Sequence, residues 1–330
     1  MNTNSCLTPP EIYDDVGFII GESESIRNVV ATALQVADRD APVLIQGPSG
    51  SGKELIARLI HFSSTRRAHP FYPINCSAIN ESIAESEFFG HRRGAFTGAF
   101  DEQQGIFEAA GGGTLLLDEI GDMPTSIQSK ILRAIEDKKI RKIGAHKQVP
   151  VLARLICSTN QDIPHLLKEK RFRSDLFYRI NTVTIQIPPL QERRDDIRPL
   201  VEHYCSHFSA KLGRQDMRID AGVFSKLARY DFPGNVRELK NMIERAYTLF
   251  DGSTVMPEHI MLQQHAPGEH EHAFTPDTYD LEAIERSVIQ AALQKARYSQ
   301  KRAAHLLKIS RYTLVRKMRK HAILAKPPGQ

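Results

Sequence analysis

The sequence predicts an α/β fold, a parallel sheet covered by helices, followed by a smaller helical region and a basic C-terminal segment. Three observations carry this reading. Short apolar runs at 43–46 (Val-Leu-Ile-Gln), 114–118 (Thr-Leu-Leu-Leu-Asp) and 151–158 (Val to Ser) are bounded by turn residues and alternate with amphipathic stretches, the pattern of strands buried on both faces. After Pro188-Pro189 the runs stop, and apolar residues fall at helical spacing: Ile197, Leu200, Val201, Tyr204, then Val223, Phe224, Leu227. From Ser287 onward there are 11 Lys or Arg residues and no Asp or Glu; removing these from the net +5 leaves −6 on residues 1–294. A basic segment on a mildly acidic body suggests that only this segment meets nucleic acid, against the plainer alternative of a solvated basic face.

Bulk composition narrows the class. At 330 residues, 41% hydrophobic and 25% charged, the chain reads as an ordinary soluble protein of two or three domains. No apolar run approaches the ~18 residues a membrane span needs, and Met1 to Asp15 carries no basic-then-apolar leader, so the expectation is a cytoplasmic protein with no membrane partner. Cys6, Cys76, Cys157 and Cys205 are scattered without a CxxC pair, giving neither a zinc site nor a disulfide framework. Residues 263–280 are polar, with Pro, Gly and His265, His270 and His272; they read as a flexible linker rather than a metal site, because nothing nearby completes a ligand set.

Following the first apolar run, Gly47-Pro48-Ser49-Gly50-Ser51-Gly52-Lys53 fits the phosphate-loop spacing GxxxxGK at a strand-to-helix junction. Backbone N–H groups there face phosphate oxygens, and Lys53 supplies a point charge to the β and γ positions of ATP. Glu54 stands where a Ser or Thr hydroxyl usually meets Mg²⁺, so the metal must lean on other groups. Asp118 and Glu119 close the second apolar run, where a doubly wound sheet presents its ligands. Asp118 is read as the Mg²⁺ partner and Glu119 as the residue that orients and polarises the attacking water. Thr159-Asn160 ends the third run, with the Asn160 amide able to sense the γ-phosphate or simply to close a turn. Arg173 and Arg179 flank residues 174–178 and suggest fingers that reach a nucleotide held by a neighbouring subunit, or a solvated basic face.

Between the two halves of this site lie Gly94-Ala95-Phe96-Thr97-Gly98-Ala99. Glycines near both ends permit tight turns and leave Phe96 and Thr97 at a loop tip, a handle for another protein; for an arbitrary string of this kind an ordinary Gly-rich turn would be the plainer reading.

Together these residues resemble the AAA+ bacterial enhancer-binding proteins that activate RNA polymerase carrying sigma-54, from about Val16 to Ile323. The resemblance implies that the GAFTGA loop, 94–99, engages sigma-54 through Phe96 and Thr97. It implies a switch asparagine, Asn75, that holds the catalytic Glu119, and a second pore loop near Lys139 to Val149. Arg173 and Arg179 would be the two arginine fingers, and Arg237, in Phe232-Pro233-Gly234-Asn235-Val236-Arg237-Glu238-Leu239, a γ-phosphate contact. Ile19 and Ile20 would border the adenine, and Glu54 is usual in this family.

The last fifty residues resemble a Fis-type helix-turn-helix. Helices are expected over 299–307 and 310–321, with Ser310 as N-cap of the second and Leu314 and Met318 inward. Arg311, Tyr312, Thr313 and Arg316 would face the major groove, and Lys317, Arg319 and Lys320 the phosphates. Leu281, Ile284, Val288, Ile289 and Leu293 form an apolar stripe suited to pairing two subunits. Lys308 occupies a turn position that often carries Gly.

The expected organisation is therefore a short tail (1–16), an AAA+ α/β subdomain (17–190), a helical lid (191–262), a linker (263–280) and a helix-turn-helix domain (281–330). The expected activity is that of an ATP- and Mg²⁺-dependent activator of sigma-54 polymerase that binds upstream double-stranded DNA as dimers and assembles into a ring, up to a hexamer. Because only about 16 residues precede the ATPase module, control by a partner protein in trans or by expression level, independent of phosphorylation, is expected. A regulator with a vestigial ATPase and an AAA+ unfoldase or helicase are the rival readings; neither has a use for an intact GAFTGA.

Overall fold

Five strands form one all-parallel sheet: β1 (Val43–Gln46), β2 (Phe71–Asn75), β3 (Thr114–Asp118), β4 (Arg154–Thr159) and β5 (Val183–Gln186), in the order β2-β3-β4-β1-β5. The computed structural model describes residues 5–213, 217–250, 252–262, 281–296, 298–321 and 323. The expected linker, 263–280, lies outside the described residues. Chain contacts divide into two units, 1–262 and 263–330, each described by itself below.

Successive residues on the central strands serve opposite faces, as a period of two requires. Leu44, Leu115, Leu117 and Cys157 enter one core with α3 (Glu81–Phe89), α4 (Thr125–Asp137) and α5 (Ser174–Ile180). Val43, Ile45, Leu116 and Ile156 enter the other with α1 (Glu24–Val36) and α2 (Lys53–Phe62). The predicted runs are thus the central strands, with 151–158 trimmed at its start because the ladder begins at Arg154. The two strands that the apolar-run pattern did not reveal, β2 and β5, lie at the sheet edges and are only half-buried, so neither is a continuous apolar run.

Within the N-terminal segment, residues 5–21 are bound to the unit. The Leu7 N–H donates to Ile19 O at 2.7 Å and Gly21 N–H to Ser5 O at 2.9 Å. Buried Thr8 accepts from Ile19 N–H and donates to Gly17 O, and Ile12 and Val16 enter the second core.

A third core belongs to α6 (Ile197–Leu212), α7 (Ala221–Leu227) and α8 (Asn235–Leu249), where Leu200, Val201, Val223 and Leu227, at the helical spacing predicted, meet Leu239 and Ile243. A two-residue parallel pair, Arg218–Ile219 with Thr254–Val255, lies among these helices.

In the second unit, α9 (Leu281–Lys295), α10 (Gln300–Leu306) and α11 (Arg311–Lys320) enclose Ile289, Leu293, Ala303, Ala304, Leu314 and Met318. Ser310 Oγ caps α11 by accepting from Thr313 N–H at 3.0 Å. Lys308 adopts φ 52°, the left-handed turn conformation that costs a non-glycine residue ~1 kcal/mol. Of the expected subunit-pairing stripe, Ile289 and Leu293 are consumed by this core and Val288 stays exposed. No helix among the described residues is long and apolar enough to cross a membrane.

Candidate nucleotide site and interaction surfaces

The registers bring the ends of the central strands together: Gln46 pairs with Thr159, and Asn75 with Asp118. The phosphate loop leaves β1 with Gly50 at φ 75° and Gly52 at φ 104°, left-handed conformations that glycine adopts without strain, and delivers Lys53 as the first residue of α2. Lys53 is 7% exposed; its Nζ donates to Gly47 O at 3.1 Å and lies 3.2 Å from Glu119 Oε1. Glu119, itself left-handed at φ 52°, accepts the Asn160 N–H at 2.9 Å with its other oxygen. Its carboxylate is therefore braced from both sides.

Asn75, expected to hold Glu119, has other partners here. Its Oδ1 accepts from Ser77 N–H at 3.0 Å and Ser77 Oγ–H at 2.7 Å, capping the turn after β2, and it makes no hydrogen bond to Glu119. Asn160 reaches Glu119 through its backbone, leaving its exposed side chain free to point elsewhere. Asp118 stands beside Glu119 and accepts from Ser158 Oγ at 2.5 Å. Glu54 is turned away, 59% exposed and 3.8 Å from Arg58 one turn on.

The residues fit a Mg²⁺–nucleotide. Ser51 Oγ is buried with no hydrogen-bond partner, a donor that a phosphate oxygen would satisfy. Mg²⁺ is commonly held by one or two carboxylates and the substrate phosphates. Asp118 is the carboxylate in position.

Above the loop lies the sensor segment. Arg237 Nη1 donates to Ser49 Oγ at 3.1 Å and its N–H to Gly50 O at 3.2 Å. Two groups missed in the sequence also meet the loop. Asn235 Nδ2 donates to Ser49 O at 3.1 Å, and buried Arg193 donates through Nη2 to Ser51 O at 3.1 Å. Burial pushes the Arg193 guanidinium down, opposed by Asp196, 3.7 Å away. Of the two isoleucines expected at the adenine, Ile19 lies in the second sheet core and Ile20 in the helical core.

Arg173 is the N-cap residue of α5, gripped bidentately by Asp175 at 3.0 and 2.7 Å, which raises its pKa. Arg179 is exposed beside Tyr178, which is 76% exposed. Neither arginine makes a hydrogen bond or ion pair with Lys53, Asp118 or Glu119 of its own chain.

The GAFTGA loop closes on itself, Gly94 N–H to Ala99 O at 2.8 Å and Ala99 N–H to Phe96 O at 3.0 Å, with Gly94 at φ 78° and Gly98 at φ 104°. Thr97 is exposed, and Phe96 is 46% exposed with its ring edge-on to His91. Phe100, just beyond, is 80% exposed and was not singled out by the motif. The loop rests on the hairpin Lys139–Arg141/Gln148–Pro150, the expected second loop. Arg92 N–H donates to Ile143 O at 3.0 Å, and a Cβ on Gly144 would sit 2.9 Å from Ala95 Cβ. Lys142 ties the hairpin to Glu102 and Glu108, each at 3.0 Å.

On α11, Arg311, Tyr312, Arg316, Arg319 and Lys320 are exposed and Thr313 is half-buried. Lys317 is a correction: it pairs with Glu285 of α9, as does His321 at 2.7 Å, and these partners pull Glu285 down to about 2. Its ammonium is committed within the unit, so it is not a free phosphate contact.

A parallel sheet with β1 between β4 and β5, a phosphate loop opening α2, an acidic pair ending β3 and a helical lid define a P-loop ATPase of the AAA+ class. Family profiles match on all three parts: the sigma-54 interaction domain over residues 19–186, the AAA+ ATPase lid domain over 191–276, and the bacterial regulatory protein, Fis family, over 280–321. The chain belongs to the family of sigma-54-dependent AAA+ transcriptional regulators. It is 43% identical over 294 residues to the response regulator protein PilR of Pseudomonas aeruginosa, covering 88% of this chain and 66% of PilR. It is 40% identical to the regulatory protein AtoC of Escherichia coli, covering 93% and 68%. The chain thus spans about two thirds of the length of these curated relatives. Among solved structures it is similar to NtrX of Brucella abortus in complex with ADP, with TM-score 0.70 and 31% identity over 94% of this chain and 71% of that one.

Proposed function

We propose that this chain couples Mg²⁺–ATP hydrolysis to remodelling of the sigma-54 RNA polymerase closed complex, from a ring of subunits held near the promoter by upstream DNA. The observation that carries the reading is a braced Glu119 in the same unit as an intact GAFTGA loop seated on its companion hairpin.

The chemistry follows from charge placement. Lys53 and loop N–H groups bind the phosphates, and Arg237 approaches from the lid. Mg²⁺, when bound, neutralises charge on the phosphate oxygens, with Asp118 as its protein ligand. Lys53 is drawn toward the phosphates, which loosens its ion pair with Glu119 and frees that carboxylate to orient water. Asn160 N–H retains one Glu119 oxygen throughout. Arg173 and Arg179, exposed and without a hydrogen bond to their own Glu119, supply cations to a site on the next subunit. The exposed cationic face of α11 reads DNA.

Open-complex formation by sigma-54 polymerase on a premelted promoter tests the coupling. Thr97→Ala should lose open complexes while keeping ATP hydrolysis; hydrolysis without open complexes from either protein would favour an unfoldase or a regulator of another polymerase. Mixing Arg173→Ala with Glu119→Ala subunits tests the shared site. Partial recovery of turnover is expected, and mixtures as inactive as each variant alone, with nucleotide still bound, would overturn it.

A further inference from the structure

We infer that Asn235 is a positioning residue of the ATPase, setting the shape of the phosphate loop from the lid. The inference rests on the nucleotide reading of that loop. Asn235 is 2% exposed and held at φ 52°, a left-handed conformation that asparagine tolerates better than most residues. Its amide is used at both ends. Oδ1 accepts the Leu190 N–H at 2.8 Å, in the segment joining sheet to lid, and Nδ2 donates to Ser49 O at the apex of the phosphate loop at 3.1 Å. One planar group therefore fixes the connection and the loop at once.

The loop apex depends on this clasp. Arg237, two residues on, meets Gly50 O and Ser49 Oγ from the same start of α8. The fit is close: a Cβ on Gly50 would fall 2.3 Å from Gly234 O. Glu238 secures the same turn from behind, accepting Gly234 N–H at 2.8 Å and Tyr230 Oη–H at 2.5 Å. The Asn235 side chain links the lid, the joining segment and the phosphate loop. Its contribution falls on nucleotide binding in ground and transition state alike, which moves KM and leaves kcat.

Two variants of the full chain separate this role from a structural one. Asn235→Asp keeps the acceptor for Leu190 but turns an oxygen toward Ser49 O. Asn235→Gly keeps the left-handed backbone and removes both bonds. Each should raise KM for ATP and Kd for ADP about tenfold, with kcat within about twofold, because one misplaced buried hydrogen-bonding group costs about a factor of ten in an equilibrium. Unchanged KM and Kd in Asn235→Gly, or a fall in kcat and melting temperature alone, would overturn the assignment. Equilibrium ADP binding reads Asn235 even if the wild-type chain shows no turnover, so failure of the ATPase reading and failure of this inference are distinguishable.

Discussion

Removing the Asp196 carboxylate should unsettle the ATPase unit more than its size suggests. Asp196 is fully buried: Oδ1 accepts Glu22 N–H at 2.6 Å and Ser23 N–H at 2.7 Å, and Oδ2 accepts Ser23 Oγ–H at 2.9 Å beside Arg193. In Asp196→Ala the guanidinium of Arg193 keeps Ser51 O but loses its counter-charge Asp196, and its Nε has no partner already. Stripping one member from a buried ion pair costs about 3–5 kcal/mol, more than the net worth of the intact pair. For a unit of this size each kcal/mol moves the melting temperature by about 2–4 °C, so a fall of about 6–20 °C is expected. Differential scanning calorimetry of the full chain reads it. Replacing Arg193 as well, in Arg193→Met with Asp196→Ala, should recover at least half the loss by removing the stranded charge. A fall below about 2 °C, or additive effects in the double variant, would refute the argument that the two charges act as a pair.

Glu119→Gln should bind ATP while hydrolysing it at least about 100-fold more slowly, since a positioned general base contributes that much; fluorescent-nucleotide binding and phosphate release measure the two separately. Gly144→Ala should impair open-complex formation with ATPase activity retained, because the new methyl strains a φ of 74° and drives into Ala95 of the GAFTGA loop; normal open complexes would count against contact between the loops as part of the output. His61 is fully buried, and burial lowers it to about 4 from an ordinary 6.5. The unfolded chain then binds the extra proton, so stability is complete above pH 6.5 and declines as pH falls toward 4. His61→Gln should flatten that part of the melting-temperature profile. In DNA-binding titrations, Arg319→Ala should reduce the salt slope by about 0.9, one phosphate contact, and Lys317→Ala by less than half as much.

Several features were legible because they are written in adjacent residues. The phosphate-loop spacing, the acidic pair after an apolar run, GAFTGA and the Ser310 cap each need only a few consecutive positions, and the central strands advertise themselves by being buried on both faces. Edge strands β2 and β5 gave no such signal, since one side of each lacks a neighbour. The Asn75 contacts were not legible as a switch for a local reason: an asparagine followed two residues later by Ser77 closes its own turn.

What the sequence by itself determined is the class of the protein, the positions of its phosphate-loop and acidic groups, and the place of its GAFTGA loop. Tertiary structure alone decided what those groups touch. Asn235 and Ser49 stand 186 positions apart, Arg193 and Ser51 142, and Lys317 and Glu285 32. A hydrogen bond or ion pair at that separation leaves no periodicity in the chain. It exists because sheet order, lid docking and helix packing bring two backbones within a few ångströms, and only then do their side chains select one another.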